Sequence, residues 1–138
     1  MCIKMRPIGV VRTDAVKIPR HWSISNVEGH IVIDEKYIEG LKDIRSGQFI
    51  IIIFHFHKSQ EFTSEFLTQK PPNRKKQMGV FSICSPIRPN PIGMSVLEVL
   101  NVKRGIIQVK GLDILDGTPV LDIKPYIKSK YSCPSFKK

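Results

Sequence analysis

Short stretches of alternating or β-branched apolar residues, broken by turn-forming residues every few positions, dominate this chain. Pro7–Thr13 (PIGVVRT) is a brief β-branched run bounded by Pro and by Asp14, and Gly29–Asp34 (GHIVID) is a second; both read as strands. Over Glu35–Ile44 the residues Tyr37, Ile38, Leu41 and Ile44 recur at helical spacing, which predicts one or two helical turns, with Gly40 weakening their middle. Gln48–Phe56 (QFIIIIFHF) is too short for a typical helix and too β-branched to prefer one, and is expected as a central strand buried on both faces.

The pattern then lapses. Residues 57–78 run from polar to Pro-rich to basic and predict a long mobile loop with a helical turn at Ser64–Leu67; connections this long usually serve a purpose. Met78–Cys84 is expected to resume as a strand, whereas Ser85–Gly93 (SPIRPNPIG) holds too many prolines for strand or helix. Met94–Val102 reads as a long strand, Arg104-Gly105 as a hairpin turn into Ile106–Gly111, and Asp116-Gly117 as a further turn into Val120–Ile123. Several strands must therefore share one core. The expected class is all-β, or strand-rich α+β: a single small β-barrel with few short helices over 1–127, followed by a basic tail over 128–138.

Length and composition narrow the classes. At 138 residues the chain suits one domain with a proper core, and 41% hydrophobic against 25% charged residues is ordinary for a globular fold. The longest apolar run, Phe49–Phe54, is far short of the ~20 residues of a membrane span, and the N-terminus carries no signal-like apolar region, so neither membrane nor export is expected. Cys2, Cys84 and Cys133 form no metal-binding spacing and read as reduced thiols of a cytoplasmic protein. A net charge of +10 points to a polyanionic partner without naming it.

The nine glycines form neither a dinucleotide fingerprint nor a P-loop, and no acyl-transfer elbow is present. His55 and His57 would share one strand face, but with no third ligand nearby they read as lining a pocket mouth, and no metal is expected. Two segments carry more. In Met78–Ser95 three prolines hold Arg88 and Asn90 extended and aimed, beyond what an inter-strand corner requires. In Gly111–Tyr126, Asp113, Asp116 and Asp122 bracket a Gly-Thr-Pro turn; such carboxylates serve equally as turn chemistry, as a hold on a ribose or cationic group, or as a base.

Together these segments resemble the TrmO family, whose hallmark is GVFATRSPxRPNPIG(L/M)S followed by LDxxDGTPVxDIKPY. This chain has GVFSICSPIRPNPIGMS at 79–95 and LDILDGTPVLDIKPY at 112–126, and its GVVR at 9–12, PRH at 19–21 and the strand into His57 fit the family's layout. The resemblance implies a barrel methyltransferase, not a Rossmann one. It would use S-adenosyl-L-methionine to methylate N6-threonylcarbamoyladenosine in the tRNA anticodon loop, as a homodimer with cofactor near the subunit interface. Carried over, the cofactor contacts fall on Pro19, Arg20, His21, His57, Lys58, Met94, Leu115, Asp116, Gly117 and Thr118. One position departs: the family's arginine before the SP is Cys84 here, which removes a bidentate grip on the cofactor carboxylate unless Lys58, Arg88 or another cation replaces it.

On this reading the proton leaving N6 passes to Asp113, with Asp116 or Tyr126 as the other candidates. Lys70, Arg74, Lys75 and Lys76, with Lys128 and Lys130 in the tail, would hold tRNA phosphates. The rival readings are a non-catalytic RNA-binding barrel and a methyltransferase with another substrate.

Overall fold

The computed structural model describes residues 1–127. Eight strands form: β1 (Gly9–Arg12), β2 (Glu28–Ile33), β3 (Phe49–His55), β4 (Thr68–Gln69), β5 (Met78–Gly79), β6 (Ile92–Lys103), β7 (Ile106–Lys110) and β8 (Pro119–Pro125). Six of them close into an antiparallel barrel in the order β1-β2-β7-β6-β3-β8, while β4 and β5 pair separately as a small hairpin. Closure leaves the barrel no free edge. The expected barrel is thus present, and among the described residues the helical content consists of four 3₁₀ segments, at Trp22–Ile24, Glu35–Leu41, Ser64–Leu67 and Val80–Ser82.

Strand alternation builds the core. Ile31 and Ile33 of β2, Ile50, Ile52 and Phe54 of β3, Leu97 and Val99 of β6, and Ile107 and Val109 of β7 face inward, joined by Val11, Leu112, Ile114 and Val120. β3 is not buried on both faces as its composition suggests: Ile51 and Ile53 on the outer side are only half-covered, because a barrel stave has a single core face. The hairpin Lys103–Ile106 turns through Arg104 (φ 51°) and Gly105 (φ 77°), two left-handed residues in the type I′ manner.

Two expectations are corrected locally. The strand predicted over Met78–Cys84 lasts only for Met78–Gly79, which pair with Gln69 and Thr68; beyond them no partner strand continues, and Val80–Ser82 turns instead. His55 and His57 do not share a strand face, because β3 ends at His55 and the His57 N–H closes back on the His55 carbonyl at 2.8 Å. Gly93, the second residue of β6, lies beneath the Phe54 and Phe56 rings, where an added Cβ would collide with both. Gly93→Ala is accordingly expected to destabilise the fold by about 1–3 kcal/mol, measured as a lowered midpoint in denaturant unfolding.

Candidate functional site

Antiparallel order gathers a set of connections at one end of the barrel. There β1 hands over to β2 through 13–27, β7 to β8 through 111–118, β3 ends and β6 begins. The two motif segments recognised in the sequence therefore meet on one rim.

Asp113 is the chemically distinctive group on this rim. Its Oδ1 accepts a 2.5 Å hydrogen bond from Ser95 Oγ, whose side chain is fully buried on the inward face of β6. Burial raises the Asp113 carboxyl above its ordinary range; the Ser95 bond, its own and the Trp22 backbone N–H groups and the nearby His21 oppose that shift in part. His21 caps the Trp22–Ile24 turn, its Nδ1 facing Ser23 Oγ at 2.6 Å and the Ser23 N–H at 3.2 Å, while its ring lies 4.8 Å from that of Trp22. The base of the β1–β2 connection is locked to the motif by Ser25, whose Oγ donates to the Leu112 carbonyl at 2.6 Å.

The turn Leu115–Thr118 docks on β1. Gly117 (φ 82°) donates to Val11 O at 2.8 Å, and buried Thr118 folds its hydroxyl onto Leu115 O at 2.7 Å. Asp116 accepts from the Thr13 N–H at 3.0 Å and lies 3.8 Å from Arg12 Nη1, an exposed pair of little energetic weight. Asp116 is thus a turn-docking residue. A methyl group placed on Gly117 would lie 4.0 Å from His57 Nε2, so His57 reaches across from the end of β3 to the turn. Partial burial, then Lys58 and His55, hold the His57 pKa below its usual value, leaving the imidazole neutral near pH 7.

The proline segment forms another side of the rim, tied to β3 by the Phe56 N–H donating to Pro91 O at 2.8 Å. Arg88 Nη1 donates at 3.0 Å to both the Ile83 and the Ser85 carbonyls. Rather than standing aimed outward, the guanidinium folds back onto its own loop, bridging the carbonyls on either side of exposed Cys84. Pro19 and Arg20 lie in the β1–β2 connection, just ahead of His21. Met94 is exposed on the outer face of β6 opposite Ile53, the face away from Ser95. Tyr126 does not join Asp113 within one chain: it follows β8 at the opposite end of the barrel, its N–H on Phe49 O, a full strand from the motif turn.

The basic segment 70–76 caps the β4–β5 hairpin. Its Pro71-Pro72-Asn73-Arg74 turn closes by the Arg74 N–H on Pro71 O at 3.1 Å, with Asn73 left-handed at φ 64°, as a type II turn demands. Lys70, Arg74, Lys75 and Lys76 are all exposed around it. Gln69 Nε2 forks to Phe66 O and Ile87 O, both at 2.8 Å, and Ser59 Oγ reaches Pro86 O at 3.0 Å, which fixes the hairpin to the proline segment. Lys128 and Lys130 lie outside the described residues.

Sequence reasoning missed Ser95, Trp22, Arg12 and Gln69. Only Ser95 left a legible trace, as a lone hydroxyl at an inward position of an apolar strand, where a buried polar group needs a partner.

Residues 11–131 match the family model of the tRNA-methyltransferase O N-terminal domain. The chain belongs to this family. An S-adenosyl-L-methionine-binding protein of Archaeoglobus fulgidus is 39% identical over 128 residues, covering 88% of each chain. The tRNA (adenine(37)-N6)-methyltransferase of Escherichia coli is 34% identical over 139 residues, covering 92% of this chain and 59% of its own. The crystal structure of TrmO from Pseudomonas aeruginosa superposes with a TM-score of 0.76 at 29% identity, over 99% of this chain and 60% of that one. Against the longer members the chain therefore spans about three-fifths of the length, and this TrmO-family portion contains the whole barrel.

Proposed function

We propose that this barrel binds S-adenosyl-L-methionine at the rim around Asp113 and His57 and methylates tRNA at N6 of N6-threonylcarbamoyladenosine in the anticodon loop, acting as a cytoplasmic homodimer. Relatives named as S-adenosyl-L-methionine-binding proteins and as tRNA (adenine(37)-N6)-methyltransferases support the cofactor and the reaction class. The observation that carries the reading is the half-buried Asp113 carboxyl held by Ser95 at the meeting point of the two family motifs.

The rim's donor set fits an amphoteric cofactor. Lys58, Arg20 and the Arg88 guanidinium offer positive charge to a carboxylate, the neutral His57 ring offers a hydrogen bond, and the loop carbonyls and carboxylates suit an ammonium and ribose hydroxyls. When bound, the cofactor supplies an electrophilic sulfonium methyl. Asp113 would do the proton work: its carboxylate, which burial makes more basic than an ordinary one, would accept the proton that N6 gives up on methylation. Ser95 holds that carboxylate in place, and His57 orients what lies against the Gly117 turn. Outward-facing Ile51, Ile53 and Met94 offer the homodimer an apolar surface.

The direct test combines calorimetry with S-adenosyl-L-methionine and mass spectrometry of nucleosides from tRNA incubated with the purified protein and cofactor. Cofactor binding together with a new methylated threonylcarbamoyladenosine is the expected result. Cofactor binding with tRNA left unmethylated would favour another substrate, and absence of cofactor binding a non-catalytic RNA-binding barrel.

A further inference from the structure

Phe81 is the most exposed aromatic side chain among the described residues, at 79% relative accessibility. It stands in the Val80–Ser82 turn that follows β5, between Val80, which is 1% exposed and anchors the turn, and Ser82. The backbone beneath the ring is thereby fixed, while the ring itself projects into water. Beside it opens a concavity of about 520 Å³, lined by Arg74, Lys75, Lys76, Gln77 and Ser82 among others, with no carboxylate in its described lining. A rigidly based, solvent-facing ring next to a cationic trough is the arrangement that takes up single-stranded nucleic acid: a base stacks on the ring face while the flanking phosphates sit on the cations.

We propose that Phe81 is the stacking platform for an unpaired base of the RNA substrate. The cations of the hairpin tip hold the flanking phosphates, and Gln77 and Ser82 lie within the same trough to meet the edge of the stacked base. This rests on the tRNA-methylation reading and adds to it a means of telling an open loop from a duplex, whose bases are unavailable for stacking. Local charge argues against the same face of a second copy as the occupant, since Arg74, Lys75 and Lys76 would then meet their own counterparts with no carboxylate in the lining to offset them.

The test is fluorescence anisotropy with a labelled anticodon stem-loop and with the same strand annealed into a full duplex, using wild type, Phe81→Ala and Phe81→Tyr, with sedimentation of each protein. Phe81→Ala should weaken stem-loop binding roughly 5- to 100-fold and change duplex binding by less than about twofold, since phosphate contacts remain. Phe81→Tyr should bind like wild type. Equal binding of the stem-loop by wild type and Phe81→Ala would overturn the platform while leaving the methyltransferase reading intact. Equal weakening for loop and duplex, or a change of oligomeric state in Phe81→Ala, would also overturn it, the latter assigning the ring to a protein contact. Stem-loop binding lost on Phe81→Ala in a protein that methylates no tRNA would keep the platform and remove the methyltransferase reading.

Discussion

Asp113→Asn is expected to lower single-turnover methyl transfer to tRNA by roughly 10²–10⁴-fold while cofactor affinity changes little. The amide keeps the size of the carboxyl and still accepts from Ser95 Oγ, so the rim should hold its shape and lose only the proton acceptor. Two pH dependences accompany this. In the wild type, activity should fall as pH drops through the raised Asp113 value, above the ordinary 3.8, because only the ionised carboxyl takes a proton. Stability runs the other way. Between 3.8 and the raised value the folded chain retains a proton that the unfolded chain has released, so stability declines as pH rises through that window and stays at the lower level above it. Asp113→Asn removes this penalty. Its Tm at pH 7 should match or exceed that of the wild type, and the difference should shrink as pH approaches 3.8. Normal turnover in the variant would return the proton to another acceptor.

The second large effect concerns the hairpin tip. Converting Arg74, Lys75 and Lys76 together to glutamine removes up to three phosphate contacts from an exposed turn that makes no core contact. The slope of log affinity against log salt should become shallower by about 2–3, and tRNA affinity near 0.15 M salt should fall by roughly 10²-fold, the loss fading toward 1 M. Calorimetric binding of S-adenosyl-L-methionine should be unchanged, because Arg74, Lys75 and Lys76 are not among the groups acting on Asp113 or His57. An unaltered salt slope would place the RNA elsewhere on the surface.

Much of the architecture was legible because barrel staves obey a period of two. The runs around Ile31, Ile52, Leu97 and Ile107 announced their strands, and Arg104-Gly105 and Asp116-Gly117 announced their turns. Position relative to the rim was harder. Asp113 stood out through its motif, yet its Ser95 partner lies 18 residues away and becomes visible only once β6 is placed inside the barrel. Tyr126 shares a segment with Asp113, but the intervening strand β8 carries it to the opposite end. Arg88 reads as a free recognition group from the rigidity of its prolines, whereas the Ile83 and Ser85 carbonyls of its own loop are the nearer acceptors. The Trp22–Ile24 turn had no periodicity to reveal it, since it depends on the His21 cap.

The strand order also governs how the chain reaches this form. β8 supplies the closing stave, pairing with β1 on one side and β3 on the other. During synthesis β1, β2 and β3 emerge early, but β1 and β3 each keep one unpaired edge until residues 119–125 arrive more than a hundred positions after the first strand. Closing such long loops is entropically slow. The barrel therefore shuts last along the two seams of β8, and an emerging chain that stalls before β8 exposes two open edges to its neighbours.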